Sequence, residues 1–449
     1  MNPSPSSMRP GAVWCDTDGQ PIQAHGGGVM FHQGVYYWYG ENKDVPNMPG
    51  TERVEVVGVS CYSSRDLLNW KNEGVVLPAV PDDPDSELHP LKVVERPKVL
   101  HNARTGKFVM WMHIDEIGYQ YARAGVAVAD RPEGPFTYLG SVRPCDADSR
   151  DLTVFQDDDG AAYLVTGVLW HSAIQIVRLS DDYLRADGEF VRVLQRPGPP
   201  TARESPAVFK RRGRYYLVSS GTTGWKPNEA EYAVADRMLG EWTTQGNPCT
   251  GPDAELTFHA QNTHVLPVAG GDDAFIVMFD RWNPHNLRDS RYVWLPAEFS
   301  EAGELRIPWR DEWSVEMLTK GSPMAETVTV DRIDSRQAYA EGEVLRKTSA
   351  IYVNPAGSDD CEGPVATLAR ALEIARSTGV RRIVLQAGRY MDVALQLGPQ
   401  DSDLVIEAAE GETVTLVGGH VLTGWTDEGD DCIACPVPGV REGTRDFRS

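Results

Sequence analysis

Residues 150–168 read R-D-L-T-V-F-Q-D-D-D-G-A-A-Y-L-V-T-G-V, and residues 203–221 read R-E-S-P-A-V-F-K-R-R-G-R-Y-Y-L-V-S-S-G. Both open on Arg followed by a carboxylate, run through alternating residues, reverse at D-D-D-G or R-R-G and return through a Tyr-Leu-Val strand. Period-2 alternation broken by Gly-bearing turns is the pattern of antiparallel sheet. Working outward, the same unit recurs at 26–43 with 57–70, at 95–115 with 124–140, and at 259–282 with 291–299. A spacing of about 50 to 70 residues suits a four-stranded propeller blade with insertions. The expectation is therefore an all-β chain whose residues 11–318 form a five-bladed β-propeller, preceded by a flexible tail, 1–10.

Beyond this region, 319–347 is mixed and charged and reads as a connector. Residues 348–449 give a strand, a Gly/Asp loop and a helix with Leu368, Ala371, Leu372 and Ala375 on one face, followed by short β-rich runs. This stretch resembles the entrance of a right-handed parallel β-helix of the pectate-lyase-like type, with an N-terminal capping helix and only a partial set of rungs. Stacked repeats bury their faces against neighbours, so the chain is expected either to be a fragment of a longer protein or to end with an exposed rung.

The chain has 449 residues, and its 43 basic and 65 acidic side chains leave a formal charge of -22. That balance repels polyanions and offers no basic stripe, which excludes nucleic acid as partner. No apolar run is long enough to span a membrane, and the first ten residues lack the pattern of a secretion signal. The chain as given reads as cytoplasmic, with a secreted form as the alternative. Seven scattered cysteines fit reduced thiols, and the single C-x-x-C pair, Cys432 and Cys435, has no companion pair or histidine cluster.

In a propeller the innermost strand of each blade faces the axis, so residues at matching positions of successive copies converge on one mouth. At the start of those strands stand His25, Glu95, Asp151, Glu204 and Gln261. Three carboxylates around one cavity raise one another's pKa values, and hydrolysis of a glycosidic bond requires a carboxyl group that stays protonated near neutrality. Taken singly, each acid reads as a solvated or turn-capping residue. Recurrence at the same place in the repeat favours a site.

The two quoted motifs, with the order of the copies, resemble glycoside hydrolase family 43 over about residues 11 to 315. The resemblance implies Glu204 as general acid and Asp151 as the residue that sets its pKa. The family's usual blade-one Asp is absent from A-H-G-G-G, residues 24–28. In this the chain is similar to the branch containing exo-β-1,3-galactanases, which implies that Gln261, with Glu95 as its rival, handles the attacking water. Inverting, exo-acting release of galactose from a plant-type β-1,3-galactan is the implied reaction. Activity as an α-L-arabinofuranosidase or β-xylosidase is the alternative, and a non-catalytic glycan-binding propeller is the alternative of a different class.

Carbohydrate is thus the expected partner. Glu41, Tyr119, Tyr121, Thr223, Trp225, Asn228 and His25 are candidate sugar contacts, since pyranose rings offer apolar faces to aromatics and hydroxyls to short polar groups. Tyr36 to Tyr39 on one strand read as blade packing instead. No cofactor is required and no metal ligand is assigned. A structural calcium beside a channel histidine (His25, His259 or His264) is the alternative that the resemblance leaves open.

Overall fold

The computed structural model describes residues 7–271, 273–319, 351–353, 367–378, 380–390, 404–409, 414–416, 426–429 and 432–434. The chain divides into two compact units, Met1–Ala325 and Glu326–Ser449.

The first unit is built from antiparallel hairpins in chain order. Strands β1 (His25–His32), β2 (Val35–Glu41), β3 (Gly58–Ser64) and β4 (Lys71–Pro78) make the first sheet. The second contains β5 (Val93–Asn102), β6 (Lys107–Asp115), β7 (Arg123–Ala129) and β8 (Thr137–Val142). The third has β9 (Arg150–Gln156), β10 (Ala162–Val168), β11 (Ala173–Arg178) and β12 (Phe190–Val193). The fourth has β13 (Arg203–Arg211), β14 (Arg214–Gly221), β15 (Glu231–Ala235) and β16 (Thr243–Gly246). There follow β17 (Cys249–Thr250), β18 (Gln261–Pro267), β19 (Phe275–Arg281), β20 (Arg291–Pro296), β21 (Glu298–Phe299) and β22 (Leu305–Pro308). Of these, β18, β19 and β20 form a fifth sheet, and β17, β22 and β21 form a sixth.

The expected five blades are therefore corrected to a six-bladed propeller arrangement. The additional sheet escapes the repeat pattern for a physical reason. Its strands are two to four residues long, two of them run parallel, and they come from the margins of the fourth and fifth copies. Cys249, Leu305 and Ile307 of this sheet share one core with Phe209, Tyr216 and Tyr232 of the fourth and Phe279, Val293 and Leu295 of the fifth.

The innermost strands β1, β5, β9, β13 and β18 are joined side to side by polar side chains. Lys98 donates to Gly26 O (2.8 Å), Arg96 to Asp151 (3.2 Å), Ser205 to Asp151 (2.7 Å), Asn262 to Ser205 O, and Thr263 to Gly27 O (2.8 Å). Between the first and fifth sheets the core is rich in aromatic rings. Trp38 lies 4.7 Å from Trp294 and 5.3 Å from Trp70, centroid to centroid, with Tyr36 in the same core, while Tyr37 and Tyr39 are buried against the second sheet. The segment expected as a loose tail is partly tied down. Met8 is buried and exchanges backbone hydrogen bonds with Trp313 at 2.7 and 3.0 Å, which pins the chain's start to the unit's last strand-like segment.

In the second unit, Ile351–Val353, Arg382–Leu385 and Val405–Ala408 form a parallel sheet, Gly388–Tyr390 pairs in parallel with Val414–Leu416, and Thr426–Gly429 pairs antiparallel with Cys432–Ala434. The helix Leu368–Thr378 buries Leu368, Ala371, Leu372 and Ala375, the face its spacing predicts. The described strands make two short parallel sheets and one antiparallel pair beside one helix, and the rungs of the expected right-handed parallel β-helix are not shown among the described residues. Nearly all of the expected connector, 319–347, lies outside the described residues, as does Cys435. Among the described residues no helix is long and apolar enough to cross a membrane.

Candidate active site

One backbone device recurs on the innermost strands. The register of β1 with β2 shifts between His25 and Gly28, of β5 with β6 between Glu95 and Lys98, of β13 with β14 between Glu204 and Ala207, and of β18 with β19 between Asn262 and His264. On β9 the partners pass from Arg150 to Leu152, leaving Asp151 outside the ladder. A bulge bends its strand and re-aims a side chain, here toward the mouth of the ring. Directly after His25, Glu95 and Glu204 stand Gly26, Arg96 and Ser205, with φ of 59°, 58° and 52°. Gly adopts that conformation freely, whereas Arg96 and Ser205 each pay on the order of 1 kcal/mol for it. Strain of this kind collects where function demands a particular geometry.

Glu204, Gln261, Arg96 and Asp151 form one connected group. Gln261 Nε2 donates to Glu204 Oε1 at 2.8 Å and to Ser220 Oγ at 3.1 Å. Its Oε1 accepts from Arg96 at 2.5 Å and from Trp282 Nε1 at 3.2 Å. Arg96 then reaches Asp151 Oδ2, which also accepts from Ser205. Burial, reinforced by the charge of Asp151, pushes the Glu204 carboxyl up to about 8 against the opposing pull of Arg96 and the amide of Gln261. Burial also raises Asp151, but Arg96, His171 and the Ser205 hydroxyl outweigh it and hold that carboxyl below its ordinary value. Two acids in one pocket are thus pushed apart, one retaining its proton and one ionised, the usual mark of an acid catalyst and its modulator.

Glu95 belongs to a second group in the same mouth. It accepts from the Tyr119 hydroxyl at 2.8 Å, lies 3.3 Å from His113 Nδ1 and 3.9 Å from Arg53. His113 Nε2 is 3.0 Å from Asp115, a fully buried carboxylate. Burial works against charge on His113, yet Asp115 and Glu95 raise its pKa to about 9, and His113 in turn keeps Glu95 ionised despite burial. A carboxylate oxygen of Glu95, a ring nitrogen of His113 and a carboxylate oxygen of Asp151 lie within 4.8 Å of one another. A metal ion there would compete with two guanidinium groups, Arg96 on Asp151 and Arg53 on Glu95, that already supply positive charge.

The expected sugar contacts divide. Tyr119 touches Glu95, and Glu41 accepts the Arg96 backbone N–H at 3.1 Å while paired with Lys43 at 2.6 Å, so both stand in the mouth. Trp225 packs edge-on against Trp282, 5.8 Å between centroids, which brings it beside Gln261. Thr223 and Asn228 hold the same loop closed, Asn228 bonding both polar backbone atoms of Gly221 and the Thr223 hydroxyl. Tyr121 points elsewhere: its hydroxyl donates to Glu87 at 2.6 Å. His25 is fully buried between Asp280 (3.1 Å) and Tyr292 (ring centroids 4.7 Å), out of a ligand's reach.

Several working residues went unread in the sequence, namely Arg96, His113, His171, Ser220 and Asp280. The register supplies a signal for three of them. His113, Ser220 and Asp280 stand directly across the hairpin from Glu95, Glu204 and Gln261. His171 comes from the β10–β11 turn and places Nε2 3.7 Å from Glu204 Oε2.

The calcium alternative does not fit the donors present. Around His264, the Lys98 ammonium already takes Gly26 O and approaches Thr263 Oγ1 and Arg96 O at 3.4 Å. Calcium requires about six to eight oxygen ligands, and an ammonium ion occupies these. His259 stands at the surface, 3.2 Å from Asp253.

The model of glycosyl hydrolases family 43 matches residues 29–289. A solved GH43 β-1,3-galactosidase in complex with galactodeoxynojirimycin is 38% identical, covering 68% of this chain and all of that one, with a TM-score of 0.64. The exo-β-1,3-galactanase of Phanerochaete chrysosporium, solved with galactose, is 36% identical over 69% of this chain and 68% of that one, with a TM-score of 0.62. Among curated proteins, a β-D-galactofuranosidase of Aspergillus niger is 29% identical over 54% of this chain and 72% of its own length. A xylosidase/arabinosidase of Bacteroides ovatus is 29% identical over 44% of this chain and 69% of its own. A family match spanning more than half the chain, over a propeller whose inner strands deliver a protonated and an ionised carboxyl to one mouth, makes this protein a glycosidase of glycosyl hydrolase family 43.

Proposed function

We propose that the enzyme removes terminal galactose from β-1,3-linked galactan in a single inverting step. Glu204 donates its proton to the glycosidic oxygen, and Asp151 keeps that proton in place near neutrality. The observation that carries the reading is the raised pKa of Glu204 inside a hydrogen-bonded group that also contains Asp151 and Gln261. The galactan assignment draws on the solved relatives, whose names specify β-1,3-galactosidase and exo-β-1,3-galactanase.

Water is held between Gln261 and Glu95. The Gln261 oxygen accepts from two N–H donors, which leaves no room for a proton on it, so the imidic acid form is disfavoured. Glu95, kept ionised by His113, is the better proton acceptor. Xylosidase or arabinofuranosidase activity is the second reading, supported by the name of the Bacteroides ovatus relative.

The test compares native enzyme with Glu204→Gln on β-1,3-galactan, arabinan and xylo-oligosaccharides, with monosaccharide analysis of the products. Galactose from galactan alone, abolished in the variant while binding persists, is expected. Near-native turnover by the variant would overturn the assignment of the acid, and arabinose or xylose as product would overturn the sugar.

A further inference from the structure

Of the turn between β10 and β11, only His171 has entered the site so far. Leu169, Trp170 and His171 follow one another with φ of 54°, 53° and 62°, three side-chain-bearing residues in the left-handed region. Such a run costs roughly 1–2 kcal/mol per residue and persists only where its surroundings impose it. Here Asp148 accepts the backbone N–H of Leu169 at 2.7 Å and of Trp170 at 3.2 Å, and pairs with Arg150. Arg150 donates to Tyr119 O at 2.8 Å and lays its guanidinium 3.9 Å from the Trp170 ring centroid. His171 O accepts the Arg203 N–H at 3.2 Å, one residue before the acid.

This bracing holds apolar surface in water. Leu169 is 50% and Trp170 48% exposed, on a turn whose next residue reaches Glu204. Through Arg150 the turn also adjoins the loop of Tyr119, whose hydroxyl lies on Glu95. The exposed ring thus stands on the rim of the mouth, on the side of the proton donor. A general acid faces the oxygen of the leaving group, so a surface beside it meets the sugar being released rather than the one being attacked.

We propose that Trp170 is the platform for the leaving-group sugar: a neutral pyranose ring lies with its apolar face on the indole, while His171 meets one of its hydroxyls. Arg150 backs the ring and fixes its plane, and the strained turn keeps indole and acid in a constant relation. Rigid aromatics suit this task because little conformational freedom is lost on binding. This rests on Glu204 as general acid, and the substrates are chosen to separate the two claims.

β-Galactosyl fluoride carries no leaving sugar and needs no proton to expel fluoride, whereas β-1,3-galactobiose needs both. Trp170→Ala is expected to lower kcat/KM on galactobiose about tenfold or more while leaving turnover of the fluoride within about twofold, and Trp170→Phe, retaining a ring, to fall between. Equal loss on both substrates in either variant, or no loss on galactobiose, overturns the proposal. Glu204→Gln is the control: it should lose galactobiose and keep the fluoride. Any other pattern in that control counts against the acid rather than the platform. If the Ala variant does not fold, a loss confined to galactobiose in Trp170→Phe supports the platform, and its absence overturns it.

Discussion

Replacing Asp151 by Asn removes one of the two influences that keep Glu204 protonated, and the consequence is readable in the pH profile. With Glu204 at about 8, some nine-tenths of the enzyme carries the proton at pH 7. Asp151 is second only to burial among the causes that raise it, and Arg96, now tied to Asp151, would be free to pull it down. Losing a neighbouring like charge is worth about 1–2 pH units, or roughly 1.4 kcal/mol per unit. The alkaline limb of kcat/KM should therefore move from near 8 toward 6–7, since that limb reports the acid in the free enzyme. At pH 7 a shift of about two units leaves about a tenth of the molecules competent, while at pH 5 the shift has little effect. Initial rates on β-1,3-galactobiose from pH 4 to 9 measure this directly. A limb that stays where it was, with activity scaled down equally at every pH, would refute the electrostatic role of Asp151.

The two rivals for the water proton separate under substitution. Glu95→Gln should cost about 10²–10⁴ in kcat if it is the base, with partial recovery in azide, whereas Gln261→Ala should lose activity without recovery; azide rescue of the second and not the first would reverse the roles. Lys98, buried and forming no ion pair among the described residues, has its pKa brought down to about 7 by burial first and by Arg96 second. Between pH 7 and 10.5 the unfolded chain binds that proton more tightly, so native stability should rise with pH over this window, by a few kcal/mol. Below 7 the full cost of burying the ammonium is present. Denaturant unfolding of native protein and Lys98→Met should thus give curves whose difference changes across pH 7–10 and is flat below; parallel curves throughout would contradict the buried cation.

These axial residues are legible because a register break recurs at or beside the same step of each copy, so alignment of the repeats brings Glu95, Asp151, Glu204 and Gln261 together. His25 occupies the same step, yet the Asp280 carboxylate and the Tyr292 ring, both from the fifth sheet, draw it inward, a pairing set by tertiary packing alone. Arg96 was hidden for a different reason. Its neighbour Glu95 carried the expected chemistry, and nothing local says that an Arg in left-handed conformation will span from Gln261 to Asp151. The sixth sheet was illegible because strands of two to four residues show no periodicity, and their pairing depends on contacts between distant segments such as Cys249 with Ile307. Thr223 and Asn228 illustrate the converse, polar residues of the sort that bind sugars but spent on closing their own loop.

The stereochemistry of release bears most directly on a pocket in which a protonated Glu204 works opposite a held water. Proton NMR of the enzyme turning over β-1,3-galactobiose, recorded before mutarotation equilibrates the sugar, reads it in one spectrum. Direct displacement by water predicts that the first resonances from the newly hydrolysed residue are those of α-galactose. Initial appearance of β-galactose would mean two successive displacements through an enzyme-bound sugar, and would contradict the account.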